Sequence, residues 1–132
     1  MFNLESLALT STVTLQIRHP VSDDFLFADE AKKQPISIEL HGTSSKEYRN
    51  AITAMQNRAL KRGKKQASAE IMKEEGVELL VLCSVKISHL SYDGKPVNDD
   101  ASFRAIYSDA KYSWLKDQVD ALLGDNSNFL QA

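Results

Sequence analysis

Val77-Glu-Leu-Leu-Val-Leu-Cys-Ser-Val-Lys-Ile87, followed closely by Tyr92-Asp-Gly-Lys-Pro-Val97, decides how this chain folds. The first of these is the most apolar piece of the sequence, and periodicity alone does not separate a buried helix from a buried strand in it. The second favours a split. Asp93-Gly94 supplies the positive φ that a tight hairpin turn needs, so the simplest reading is helix to about Cys83, then a strand with Val85 and Ile87 inward that feeds the turn. On the residues of Val77–Ile87 themselves, helix and strand both stay open.

Working upstream, Gln66 to Glu75 is rich in helix formers, and Gly76 interrupts the pattern at about 1 kcal/mol relative to Ala if it lies mid-helix. Before it, Ser44 and Glu47 have the S-x-x-E spacing of a capping box. Tyr48, Ile52, Met55 and Ala59 then recur at helical spacing, and Gly63 can end that helix. Nearer the start, Val13, Leu15 and Ile17 alternate with polar residues, as do Ile36, Ile38 and Leu40; each set predicts a half-buried strand. Phe25 to Phe27 is expected to pair back as a short strand after the His19-Pro20 break. Downstream, Asn98, Asp99 or Asp100 can cap a helix carrying Phe103, Ile106 and Tyr107. A last helix runs from about Lys111 with Trp114, Leu115, Val119, Leu122 and Leu123 on one side, closed by Gly124.

The expected fold class is therefore α+β: a small N-terminal antiparallel β-sheet, then a mainly helical part with one short β-hairpin. At 132 residues, the chain reads as one domain with a β-rich part over 1–42 and a mainly helical part over 43–132. A formal net charge of −2 gives no global pull toward nucleic acid or an anionic membrane. No apolar run approaches the roughly 20 residues that span a bilayer. Phe2 to Leu9 is too short for a signal peptide and lacks its basic flank. Cys83 has no partner for an intramolecular disulfide, so a reducing cytosol is the default.

No nucleophile elbow, P-loop or dinucleotide fingerprint occurs. His19, His41 and His89 are scattered without ligand spacing. Cys83 lies inside an apolar run and reads as an inert buried thiol. The expectation is no catalytic residue, no metal and no cofactor. One charge block stands out: Arg58, Lys61, Arg62, Lys64 and Lys65, with no acid among them. It can be a solvated helix end favoured by the macrodipole, a site for an acidic protein partner, or, last in order, a nucleic-acid patch that lacks aromatic residues to stack on bases. Trp114 reads first as a core anchor and second as an interface residue. The Asn128-Phe-Leu130 tail either folds back on the core or docks on a neighbour.

Val85 to Leu90 entering Tyr92-Asp-Gly-Lys-Pro-Val97, the Asp99-to-Asp109 helix, Trp114 to Leu123, and Asn128-Phe-Leu130 form an order of elements that resembles the tail-assembly chaperones of long-tailed bacteriophages. Gly42 to Asn50 and Gln56-Asn-Arg58 look like that family's first long helix, so the likeness covers roughly residues 42 to 130. Two departures stand out. Many relatives carry a tryptophan near Ser88-His89, and many lack a sheet like that over 12–42. The resemblance implies a non-catalytic protein of the bacterial host cytoplasm that binds the tape-measure protein, recruits tail-tube subunits and leaves before the virion matures. It also implies oligomerisation through avidity on one long client. The candidate client-binding residues are Met55, Leu60, Trp114, Phe129 and Leu130, with the Arg58–Lys65 block steering toward acidic segments. The alternatives are a structural virion protein, such as a tail or head-completion component using the 12–40 sheet between subunits, and a small nucleic-acid-binding module.

Overall fold

A computed structural model describes residues 1–63 and 68–130. Strands β1 (Thr12–Gln16) and β2 (Ser37–His41) are antiparallel, and helices α1 (Lys46–Arg62) and α2 (Ala69–Cys83) follow. Helix α2 passes directly into strand β3 (Ser84–Ser88), which adds to the far side of β2 and gives the order β1-β2-β3. A two-residue hairpin, β4 (Ser91–Tyr92) and β5 (Lys95–Pro96), leads to helices α3 (Asp100–Ser108) and α4 (Ser113–Leu123). The fold is α+β, as the sequence predicts.

The split inside the apolar segment falls at Cys83, where the Ser84 N–H caps α2 by donating to the carbonyls of Leu80 and Val81. Ile87 is buried, but Val85 is not: it is 41 % exposed. The register explains this. Lys86 pairs with Glu39 while Ser84 pairs with Leu40, so Val85 is the extra residue of a bulge and is turned out of the ladder. Strand β3 also does not feed the hairpin directly. His89, with φ of 64°, breaks the chain between them, and its ring Nδ1 lies 2.8 Å from the Pro35 carbonyl. The Asp93-Gly94 turn itself forms as predicted, with φ of 53° and 77°. Two successive positive φ values define the turn type that glycine at the second position makes cheap.

Other expectations need correction. Ser44 and Glu47 form no capping box: the cap of α1 is Ser45, whose hydroxyl accepts the Tyr48 N–H at 3.1 Å. Ser44 is drawn instead to the Thr10 carbonyl, and Glu47 to His41. Helix α2 begins at Ala69 and runs through Gly76; Gln66 lies outside the described residues. Phe25–Phe27 makes only isolated bridges, Arg18 with Phe25 and Phe27 with Pro35. Gly124 does cap the C-terminus of α4 as expected, its N–H donating to the Asp120 and Leu122 carbonyls at a φ of −76°, and the chain coils on into a 3-10 turn over Asn126–Phe129. Asp99 caps α3 through a reciprocal pair with Ser102.

One hydrophobic core joins the two parts expected over 1–42 and 43–132. Ile17, Ile38 and Leu40 of the sheet share it with Val77, Leu80, Val81 and Cys83 of α2, Phe103, Ile106 and Tyr107 of α3, and Leu115, Val119 and Leu123 of α4. The opposite face of the sheet carries Thr12, Thr14, Gln16, Ser37, Glu39, His41 and Lys86, none of them buried. This is the one-sided sheet that antiparallel pairing allows. Ser84, at the joint of α2 and β3, is a buried polar residue with its needs met: its hydroxyl donates to the Leu80 carbonyl and shares a 2.7 Å hydrogen bond with the Tyr107 hydroxyl. The tail closes the core. Phe129 is 1 % exposed and lies on Gly42, where a Cβ would stand 2.6 Å from two ring carbons. Only glycine admits the ring that close.

Candidate functional site

Beyond Gln16, the sheet ends in an unusual closure. The Ile17 N–H donates to the Ile36 carbonyl at 2.9 Å, the Ile36 N–H to the Leu26 carbonyl at 3.0 Å, and the Leu26 N–H to the Ile17 carbonyl at 2.9 Å. Three short segments thus satisfy one another in a ring, as backbone removed from water must. Their side chains form part of the lining of a groove of about 410 Å³. Leu90 and Tyr92 at the hairpin, Ile106 from α3, Tyr112 from the turn after it, and Trp114 and Leu115 from α4 complete its apolar lining. Lys111, Asp93 and Ser91 supply its polar groups. The dimensions and mostly apolar walls suit a small cluster of partner side chains.

Polar contacts hold the rim. The Tyr92 hydroxyl donates to Asp109 at 2.9 Å, and its ring meets Tyr112 edge-on at 5.9 Å between centroids. The Lys111 backbone N–H and, after it, the Tyr92 hydroxyl hold the Asp109 carboxyl below its usual range, while the same bond to Asp109 raises the Tyr92 phenol. The hairpin is thereby tied to the turn between α3 and α4, so the groove is preformed.

The sequence-predicted site residues do not converge. Trp114 lines the groove, half-buried. Met55 is half-buried on α1, and Leu60 is 78 % exposed in its last turn; neither lines the groove. Phe129 belongs to the core and is unavailable to a partner in this conformation, because it has folded back onto Gly42. Leu130 stays 40 % exposed and bridges to Leu9. The groove residues Leu26, Ile36, Leu90, Tyr92 and Tyr112 were not among the site residues expected from sequence. An aromatic immediately before an Asp-Gly turn was the available signal for Tyr92; Leu26 and Ile36 come together only through the ring of hydrogen bonds, and Tyr112 joins through its edge contact with Tyr92.

The basic block is divided. Arg58 makes a bidentate pair with Glu75 of α2, at 2.6 Å for the shortest contact, and Arg62 stands 3.6 Å from the same carboxylate. The Arg58 hydrogen bonds hold the Glu75 carboxyl below its usual range. Two of the five cations therefore serve the α1–α2 packing, which weakens a nucleic-acid reading. Lys61 is exposed, and Lys64 and Lys65 lie outside the described residues.

Among the described residues no group of three His, Cys, Asp or Glu could hold a metal ion. His19 accepts the N–H groups of Val21 and Ser22 in its own turn, and His41 faces Glu47 at 3.5 Å. Burial pushes the Cys83 thiol up to about 11, the opposite of an activated nucleophile. No helix among the described residues is long and apolar enough to cross a membrane. No family model, no curated protein and no solved structure matches this chain.

Proposed function

We propose that this chain is a non-catalytic binding protein that holds apolar segments of a protein client, and that it acts as a phage tail-assembly chaperone with the tape-measure protein as client and the tail-tube protein as the subunit it recruits. The observation that carries the reading is the preformed apolar groove beside Trp114. It is built largely from the hairpin, α3 and α4, and these elements also carry the resemblance to that chaperone family. A long client with repeated apolar stretches needs many small binders, each covering a few side chains. A groove of this size meets that need.

The test is co-expression with a tape-measure protein of a long-tailed phage, followed by pull-down and a solubility assay. The expected result is a soluble complex with the wild-type chain, lost with Trp114→Ala while the variant keeps its circular dichroism spectrum. A client that stays insoluble, with this protein present at stoichiometric amounts in mature particles, would replace the chaperone reading with a structural virion role.

A further inference from the structure

The outer edge of β1 carries an observation separate from the groove. Odd-numbered residues of this strand bond toward β2: the Gly42 N–H donates to the Ser11 carbonyl at 2.8 Å and the Ile17 N–H to the Ile36 carbonyl at 2.9 Å. Antiparallel alternation therefore turns the N–H and C=O groups of Thr12, Thr14 and Gln16 away from the sheet. The edge is filled just before and just after them. Before them, the Thr10 N–H donates to the Phe129 carbonyl at 2.6 Å and Leu9 bridges to Leu130, so the tail already lies there as a short added strand. After them, the Gln118 side-chain amide takes both backbone groups of Arg18: its nitrogen donates to the Arg18 carbonyl at 2.8 Å, and its oxygen accepts the Arg18 N–H at 3.0 Å. A side-chain amide used in this way imitates the peptide group of a neighbouring strand. Between these two ends, the Thr12 carbonyl accepts only the Thr10 hydroxyl, at 3.0 Å, and the main-chain groups of Thr14 and Gln16 that point outward have no partner among the described residues.

We propose that this edge receives an extended segment of a partner protein by strand addition, over the five residues Thr12 to Gln16. The occupant's chemistry follows from the surroundings. Its backbone meets alternate N–H and C=O groups along about 17 Å. Side chains on one of its faces join the polar row of Thr14, Glu39 and Lys86. Those on its other face point toward a groove of about 510 Å³ between Leu15 and α4, where Trp114, Ala121 and Leu122 are the apolar walls. An alternating apolar and polar segment fits, of the kind that domains with an open sheet edge recruit.

A second copy of β1 does not fit. Two-fold pairing centred on Thr14 would set Arg18 of one copy against Thr10 of the other, and both positions are already taken by Gln118 and Phe129. The filled ends admit a narrow single segment and exclude a second sheet edge. This is the protection that exposed edges require.

The experiment uses the isotopically labelled full chain and an acetylated, amidated heptapeptide in which Ile-Ser-Ile-Glu-Leu is flanked by lysines. The expected result is that the Thr14 and Gln16 amides shift together and exchange at least about fivefold more slowly at saturation. The same peptide, N-methylated at alternate residues on its bonding edge, should bind at least about fivefold more weakly. Thr14→Pro removes one outward N–H where an edge strand tolerates proline and should weaken binding similarly. Should that variant fail to fold, the N-methylated peptide carries the test without it. Absence of any response up to about 1 mM peptide, or equal binding of the N-methylated form, would overturn the proposal. Shifts confined to Leu90, Tyr92 and Tyr112 would also overturn it, while leaving the groove beside Tyr92 as the binding site.

Discussion

Helices α1 and α4 are held in place by different means. The first spans Lys46–Arg62 yet buries only Ala51; Tyr48, Ile52 and Met55 are half-covered, and α1 is fastened to α2 by Arg58 and Arg62 on Glu75. The second spans only Ser113–Leu123 but buries Leu115, Val119 and Leu123, and the tail beyond it drives Phe129 into the core. Length and helical spacing make a helix easy to see in the sequence. Burial decides how firmly it is held. The region that builds the groove is the firmly held one, and α1 is attached outside it.

The largest effect that would sharpen this contrast is expected from Phe129→Ala. Removing a fully buried ring should cost about 3–5 kcal/mol in chemical denaturation, whereas Met55→Ala on the half-covered face of α1 should cost about 1 kcal/mol. Equal costs would break the comparison. Next comes Gly42→Ala, which sets a methyl 2.6 Å from the Phe129 ring and should cost about 1–3 kcal/mol through overpacking. In the Gly42→Ala, Phe129→Ala double variant the two costs should be less than additive, because the ring that the methyl strikes is gone.

Much of this fold was legible before any coordinates. The strands around Leu15 and Ile38, the break at Cys83, the Asp93-Gly94 turn and the Asp99 cap each rest on local chemistry, and local chemistry is what a sequence displays. What was illegible depended on distant partners. Val85 turns outward because of a bulge set by Glu39 and Leu40. Ser44 loses its cap role to a carbonyl 34 residues away. One wall of the groove is assembled by a hydrogen-bond ring among Ile17, Leu26 and Ile36, which no spacing rule announces. Trp114 stands out by its rarity, and Phe129 stays open between core and partner surface because a terminal aromatic looks the same whether it docks inward or outward.

A smaller effect tests the joint of α2 and β3. Tyr107→Phe leaves the Ser84 hydroxyl still donating to Leu80, so only one buried hydrogen bond is lost, at about 1 kcal/mol. Cys83, next to that joint, gives the readout. Its thiol is buried and pushed up to about 11, so native labelling at neutral pH should be slow and should track opening of the core. Faster labelling in Tyr107→Phe, in proportion to the stability lost, is the expected outcome; rapid labelling of the wild type would mean that the core near Ser84 opens locally.

The smallest effect concerns the clamp on α1, and its sign follows from the protonation of Glu75. The hydrogen bonds from Arg58 lower this carboxyl below its ordinary 4.5 in the folded state. Its contribution is therefore complete above pH 4.5 and is lost as the pH falls from there through the lowered folded value. Asp99 and Asp109 are lowered too and act in the same direction, so total stability against pH does not isolate Glu75. Amide exchange resolved along α1 does. At neutral pH, Glu75→Gln should speed exchange in the second half of α1 by a factor of about two to five, the modest worth of a partly exposed ion pair, and leave α4 unchanged. As the pH falls through the lowered folded value of Glu75, the difference between variant and wild type in α1 should shrink, since protonation removes the same charge that the substitution does. If α4 responded as strongly as α1, the two helices would open as one unit and the contrast between them would be lost.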